Sequence, residues 1–155
     1  MLDNARDERS IFRASVIYQD DRAALDWLAK AFGFETALII TDDAGTLVHA
    51  EMQYRGALVM IARKFADALE SPKALGGKST QLLHVHVDTD IDAHFARARD
   101  AGAVILQEPS DQFYGDRTYR CADPEGHIWV FAQTVKVLTL GEMEQASGLT
   151  LRETL

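Results

Sequence analysis

Asp111-Gln-Phe-Tyr-Gly-Asp-Arg-Thr-Tyr-Arg-Cys-Ala-Asp-Pro-Glu-Gly-His-Ile-Trp-Val-Phe-Ala132 holds the key to the chain. Residues 118–122 form a short run with two β-formers, and residues 128–132 form an apolar, aromatic one. Between them stands Asp123-Pro124-Glu125-Gly126. Asp can bond its own turn, Pro fixes φ at the second position, and Gly closes the loop, so the stretch predicts a β-hairpin. Pairing across this four-residue turn would put Tyr119 and Cys121 on the face of Val130, and Trp129 and Phe131 on the other.

Working backward from the hairpin, residues 108–116 read as a loop and 104–107 as a strand. Ala101-Gly102-Ala103 ends a helix over 90–100, and 81–88 is a strand with Leu82, His84 and His86 on one face. The first half has the same order. A strand over 11–18 leads to Asp20-Asp21, which caps a helix whose Leu25, Leu28 and Phe32 recur at helical spacing and which stops at Gly33. Strands over 36–41, 46–53 and 58–63 follow, separated by Asp42-Asp43-Ala44-Gly45 and Tyr54-Arg55-Gly56-Ala57. The expectation is an α+β fold, one domain over 1–155 built from two tandem βαβββ modules, 11–63 and 81–133, forming a curled mixed sheet. Residues 64–80, with Pro72, Gly76 and Gly77, connect them. In the tail over 134–155, Thr139 and Glu142 have capping-box spacing, predicting a short helix to about Ala146 that Gly148 ends.

Composition narrows the partners. Sixteen Lys and Arg against 24 Asp and Glu give a net charge of −8, which argues against nucleic acid and anionic membrane and favours a neutral or cationic small ligand. A lone cysteine, Cys121, forms no internal disulfide. The charged N-terminus is no secretion signal and no apolar run is long enough to span a bilayer, so the expectation is a soluble cytoplasmic protein. Nucleophile-elbow, phosphate-loop and paired-cysteine motifs are missing from the sequence.

Tyr114-Gly115-Asp116-Arg117 followed by Asp123-Pro124-Glu125-Gly126-His127 resembles the glyoxalase/bleomycin-resistance/dioxygenase superfamily (vicinal oxygen chelate proteins), and within it the PhnB-like branch. The resemblance covers about 12–133 and implies two modules whose sheets curl around a cavity, usually completed by a homodimer. It further implies four inward His, Glu or Gln metal ligands, whose equivalents here are Arg13, Met60, Leu82 and Val130. Arg has no lone pair to offer and the others are no hard-metal ligands, so no cofactor is expected at these positions.

Another polar set is expected in the same hollow. If the Tyr54–Ala57 turn has two central residues, Glu51 lies opposite Met60, with His49 and Gln53 on its face, and His84 and His86 join Leu82. The candidate ligand-binding residues are Arg13, Glu51, His84, His86, Tyr114 at the cavity mouth and Tyr119; no catalytic residue is assigned. Glu51, His84 and His86 are also the alternative site for a divalent zinc or iron. Arg117 and Asp116 read as a structural pair and His127 as ordering the hairpin. Trp27, Phe32, Trp129 and Phe131 read as core, and Cys121 as buried and inert. Two functions remain in view. One is metal-free binding of a small organic ligand, as in drug-sequestering proteins. The other is a lyase, isomerase or dioxygenase with an atypical metal site, or with Glu51 and a histidine as acid and base.

Overall fold

The computed structural model describes residues 12–154. Its elements are β1 (Ser15–Ile17), α1 (Asp21–Phe32), β2 (Glu35–Thr41), β3 (Leu47–Tyr54), β4 (Ala57–Ala62), a 3-10 turn (Pro72–Leu75), β5 (Leu82–His86), α2 (Ile91–Asp100), β6 (Val104–Asp111), β7 (Asp116–Ala122), β8 (Ile128–Thr134) and α3 (Leu140–Ser147). The order βαβββ occurs twice, as the sequence predicts, in an α+β fold. The first predicted strand begins at Ile11, outside the described residues. Local chemistry accounts for the helix ends. The Asp20 carboxylate accepts from Ala23 N and the Asp90 carboxylate from Asp92 N and Ala93 N, each satisfying donors that a helix start leaves open. Thr139 and Glu142 complete the expected capping box on α3, which Gly148 ends.

The strands form two four-stranded sheets, ordered β1-β4-β3-β2 and β5-β8-β7-β6, with β1 parallel to β4 and β5 parallel to β8. No ladder among the described residues joins them, so the sheets do not close on each other. Each carries its helix on one face, and α1 lies against α2. Phe32, fully buried, is the centre of the shared core: its ring lies 4.6 Å from that of Phe131, 5.3 Å from Trp129 and 5.7 Å from Phe34. Aromatic contacts of this kind each add roughly 0.5–1.5 kcal/mol to what burial contributes.

The DPEGH turn joins the modules. The Glu125 carboxylate accepts from Gln19 N (2.8 Å) and Asp20 N (2.9 Å), immediately before α1. The Tyr18 hydroxyl and Trp129 Nε1 both donate to Asp123 Oδ2, at 2.6 and 3.1 Å. His127 Nε2 donates to the Ile17 carbonyl at 2.7 Å. His127 thus ties β8 to the first module's opening strand rather than ordering only its own hairpin.

Two expectations are corrected. The predicted strand at 104–107 continues to Asp111, because bulges near Gln107 absorb the irregularity around Pro109 and let Ser110 and Asp111 pair with Thr118 and Arg117. Strand β6 is an edge strand, where Pro is tolerated. The second correction concerns the hairpin. Ala122 pairs with Ile128, Cys121 with Trp129 and Tyr119 with Phe131. Asp123 N donates to the His127 carbonyl, leaving Pro124, Glu125 and Gly126 as a three-residue loop with Gly126 at φ 89°. The four-residue turn assumed from sequence was the wrong length, so β7 faces the other way.

Candidate functional site

On the first sheet, Val16, Ala50, Met52 and Ile61 are fully buried under α1. The alternate residues face away from the helices. Met60 is central on this open face, paired with Ser15 on β1 and Glu51 on β3, as the two-residue hairpin predicted. Arg13 Nη1 stands 3.6 Å from Glu51 Oε1, and His49 Nε2 stands 3.4 Å from the same oxygen. Arg13 Nη2 is buried and has no hydrogen-bond partner among the described residues. An unmatched donor on a cation is costly to bury, so this nitrogen is suited to a ligand acceptor. Beside the cluster lies a hollow of about 440 Å3, bounded by Val48, His49, Met60, Arg63, Lys64 and Phe65.

His84 and His86 are elsewhere. They share the open face of the second sheet with Val130 and Ala132, their partners on β8. They line a separate crevice of about 370 Å3, which also touches Tyr54, Arg55 and Trp129. The structure therefore brings Arg13 to Glu51 but does not bring His84 and His86 to them. Among the described residues, no group of three or more His, Cys, Asp or Glu side chains is placed to hold a metal. The family's metal positions fit no better. Arg13 and Met60 lie on the open face of the first sheet, and Leu82 and Val130 on the second, offering one thioether and no carboxylate, imidazole or amide oxygen.

Tyr119 is not at a ligand surface. It is fully buried on the helix side, where its hydroxyl meets His94 Nδ1 at 2.7 Å and its ring stacks on Phe131 at 5.1 Å. His94 Nε2 lies 3.2 Å from the Phe32 carbonyl. A carbonyl can only accept, so Nε2 carries the proton of the neutral ring and Nδ1 accepts from Tyr119. Burial holds the His94 pKa below its ordinary value, with the Arg97 charge acting in the same direction. Cys121, beside Trp129, is fully buried, and burial followed by the Asp123 charge pushes its thiol up to about 12.

Tyr114 sits in the β6–β7 turn with its ring edge-on to Phe113 at 5.2 Å, and it lines neither hollow. Arg117 does not pair with Asp116. Its guanidinium donates to Asp92 and Asp111, each at 2.8 Å, while Asp116 accepts from the Thr134 hydroxyl. His49, two positions before Glu51, was read from sequence onto this face but not among the ligand-binding candidates; Arg55, which lines the second crevice, was read only as part of a turn, and Arg120 pairs with Val130 once the hairpin register is corrected. The alternation in β3 carried the signal for His49.

No helix among the described residues is long and apolar enough to cross a membrane. A protein of Mycobacterium bovis, uncharacterized, is 33% identical over 135 residues, spanning 84% of this chain and 88% of the relative. The crystal structure of TioX from Micromonospora sp. ML1 superposes with a TM-score of 0.64 at 35% identity, covering 84% of this chain and all of that one. TnmS3, an antibiotic binding protein from Streptomyces sp. CB03234, superposes with a TM-score of 0.62 at 20% identity over 79% of this chain and 93% of its own, a likeness of fold. The profile of the Glyoxalase/Bleomycin resistance protein/Dioxygenase superfamily matches residues 10–131, and the chain belongs to that superfamily.

Proposed function

We propose that this protein binds a small organic ligand on the open face of the first sheet and holds it without transforming it, as a metal-free, drug-sequestering member of its superfamily. The observation that carries the reading is the pairing of a hollow of about 440 Å3 with the Arg13–Glu51–His49 cluster, whose Arg13 Nη2 lacks an acceptor among the described residues. A cleft of this size, with mostly apolar walls and a few converging polar groups, suits a small molecule. Glu51 and the net charge of −8 favour a ligand that also carries a cationic or donor group. The likeness to TnmS3 agrees with the reading but is too distant to carry it.

A second copy would complete the site. Leu38, Ile40 and Val48 are each more than a third exposed, and the first two pair with Glu51 and His49 on the open face. A homodimer in the cytoplasm that covers this face would shield these residues from water and roof the hollow.

The Glu51–His49 contact supports a second reading, metal-free acid–base catalysis. A thermal-shift screen of cationic glycopeptide, mitomycin-like and quinone-like compounds, run beside turnover assays with methylglyoxal–thiol adducts and catechols, separates the two. A binder at a hundredfold excess over Kd adds about 2.7 kcal/mol, and Glu51→Ala should abolish the shift. Turnover that Glu51→Gln abolishes, without any shift from the drug panel, would establish the enzyme instead.

A further inference from the structure

The crevice between the two sheets has a chemistry of its own, apart from the open face of the first sheet. We propose that it is a binding site for a planar aromatic carboxylate. The argument starts from the β3–β4 turn. Tyr54 pairs with Ala57, and both central residues have positive φ, 52° at Arg55 and 84° at Gly56. Such turns favour Asn-Gly, Asp-Gly or Gly-Gly. Among the described residues Arg55 is the one non-glycine residue held at positive φ. A disfavoured backbone held by a long cationic side chain points to a role for that side chain. The Arg55 guanidinium pairs with Asp88, just past β5, and so spans from one module to the other over the crevice.

Below it the crevice measures about 370 Å3, room for a molecule of two or three rings. Phe34, Tyr54, Val59, Val85 and Trp129 supply apolar and aromatic walls. The ionisable side chains lining it besides Tyr54 are Arg55, His84 and His86, with no carboxylate among them, in a chain of net charge −8. His86 Nε2 accepts from Thr134 N at 3.3 Å, and the Thr134 hydroxyl donates to Asp116 Oδ1 at 2.8 Å. The neutral His86 ring therefore keeps its proton on Nδ1, available to an acceptor. The His84 side chain makes no hydrogen bond or ion pair with the described residues. A bound carboxylate would take the place of Asp88 on Arg55 and accept from the histidines, while its ring fills the apolar floor.

Calorimetry with 2-naphthoate and its uncharged analogue 2-naphthalenemethanol tests this on the full chain. The carboxylate should bind at least about tenfold more tightly than the alcohol. Arg55→Asn suits the turn, so it should keep or raise stability while weakening naphthoate roughly tenfold. His84→Leu should weaken it too. Asp88→Asn, which removes the competing carboxylate, should strengthen it about threefold or more, an effect that a merely structural ion pair would not give. Equal affinity for the two probes, or no detectable naphthoate binding, overturns the proposal. So does binding that follows Glu51→Ala and ignores Arg55→Asn, because that places the probe on the open face.

Discussion

Glu125 is the residue whose removal should most sharply expose how the two modules are held together. The residue is 8% exposed, and its carboxylate accepts from Gln19 N and Asp20 N across the module boundary, with distances of 2.8–3.0 Å. Glu125→Ala leaves both donors without their acceptor at the start of α1, and removes an anion from the positive end of that helix. Hydrogen bonds to a charged acceptor contribute roughly 1.5–3 kcal/mol each, and an anion at a helix start roughly 0.3–1 kcal/mol. Water can reach the partly exposed Gln19 and Asp20 amides and recover part of this loss, so the expected cost is about 3 kcal/mol. Glu125→Gln keeps one carbonyl acceptor and should cost about half as much. At roughly 2–4 °C per kcal/mol for a chain of this size, Glu125→Ala should lower Tm by about 6–12 °C. Urea unfolding followed by tryptophan fluorescence suits the measurement, because Trp129 Nε1 donates to Asp123 in the same turn. Tyr18→Phe removes the neighbouring bond to Asp123, and its cost should be non-additive with that of Glu125→Ala. A Glu125→Ala loss below about 0.5 kcal/mol, or strict additivity of the pair, refutes the clamp as an energetic unit.

Two further perturbations probe the shared core. His94 has a folded-state pKa held below its unfolded value by burial, so the unfolded chain binds the extra proton first as pH falls. Its contribution to stability is therefore complete above the ordinary imidazole value of about 6.5 and is lost as pH drops below it. Urea midpoints should fall more steeply between about pH 7 and pH 5 in the parent than in His94→Gln, and parallel slopes would show that His94 does not carry the effect. Cys121, buried and with its thiol pushed up to about 12, should resist iodoacetamide in the folded protein and react readily in urea. Labelling of the native state at the unfolded rate would contradict its placement beside Trp129.

The elements that were legible from sequence are those whose cause is local. Asp20, Asp90 and Thr139 cap helices through their own side chains, and the Tyr54–Ala57 turn fixes its register within four residues, so Glu51 opposite Met60 followed directly. The β7 faces failed for an equally local reason. A single residue separates a four-residue turn from the three-residue loop closed by Gly126, and strand periodicity turns that one residue into a reversed face. Tyr119 moved from the expected cavity to the core by that step alone, and Arg120 took its place beside Val130.

The site was less legible because alternation assigns a side chain to a face of its own sheet and says nothing about which faces oppose each other. Glu51, His84 and His86 were each placed on the correct face of their strands, yet the expected site required the two open faces to enclose one cavity within a chain. The core decides otherwise. Phe32 packs against Trp129 and Phe131, and α1 lies against α2, so the helix sides of both modules are buried together and the open faces are left pointing away. That arrangement follows from long-range aromatic packing and the DPEGH clamp, neither of which has a periodicity to read. It also explains the division of polar chemistry between two places. With the sheets held by their helix sides, Glu51 must find its partners, Arg13 and His49, within its own sheet, whereas His84 and His86 on edge strand β5 meet the turn that carries Arg55.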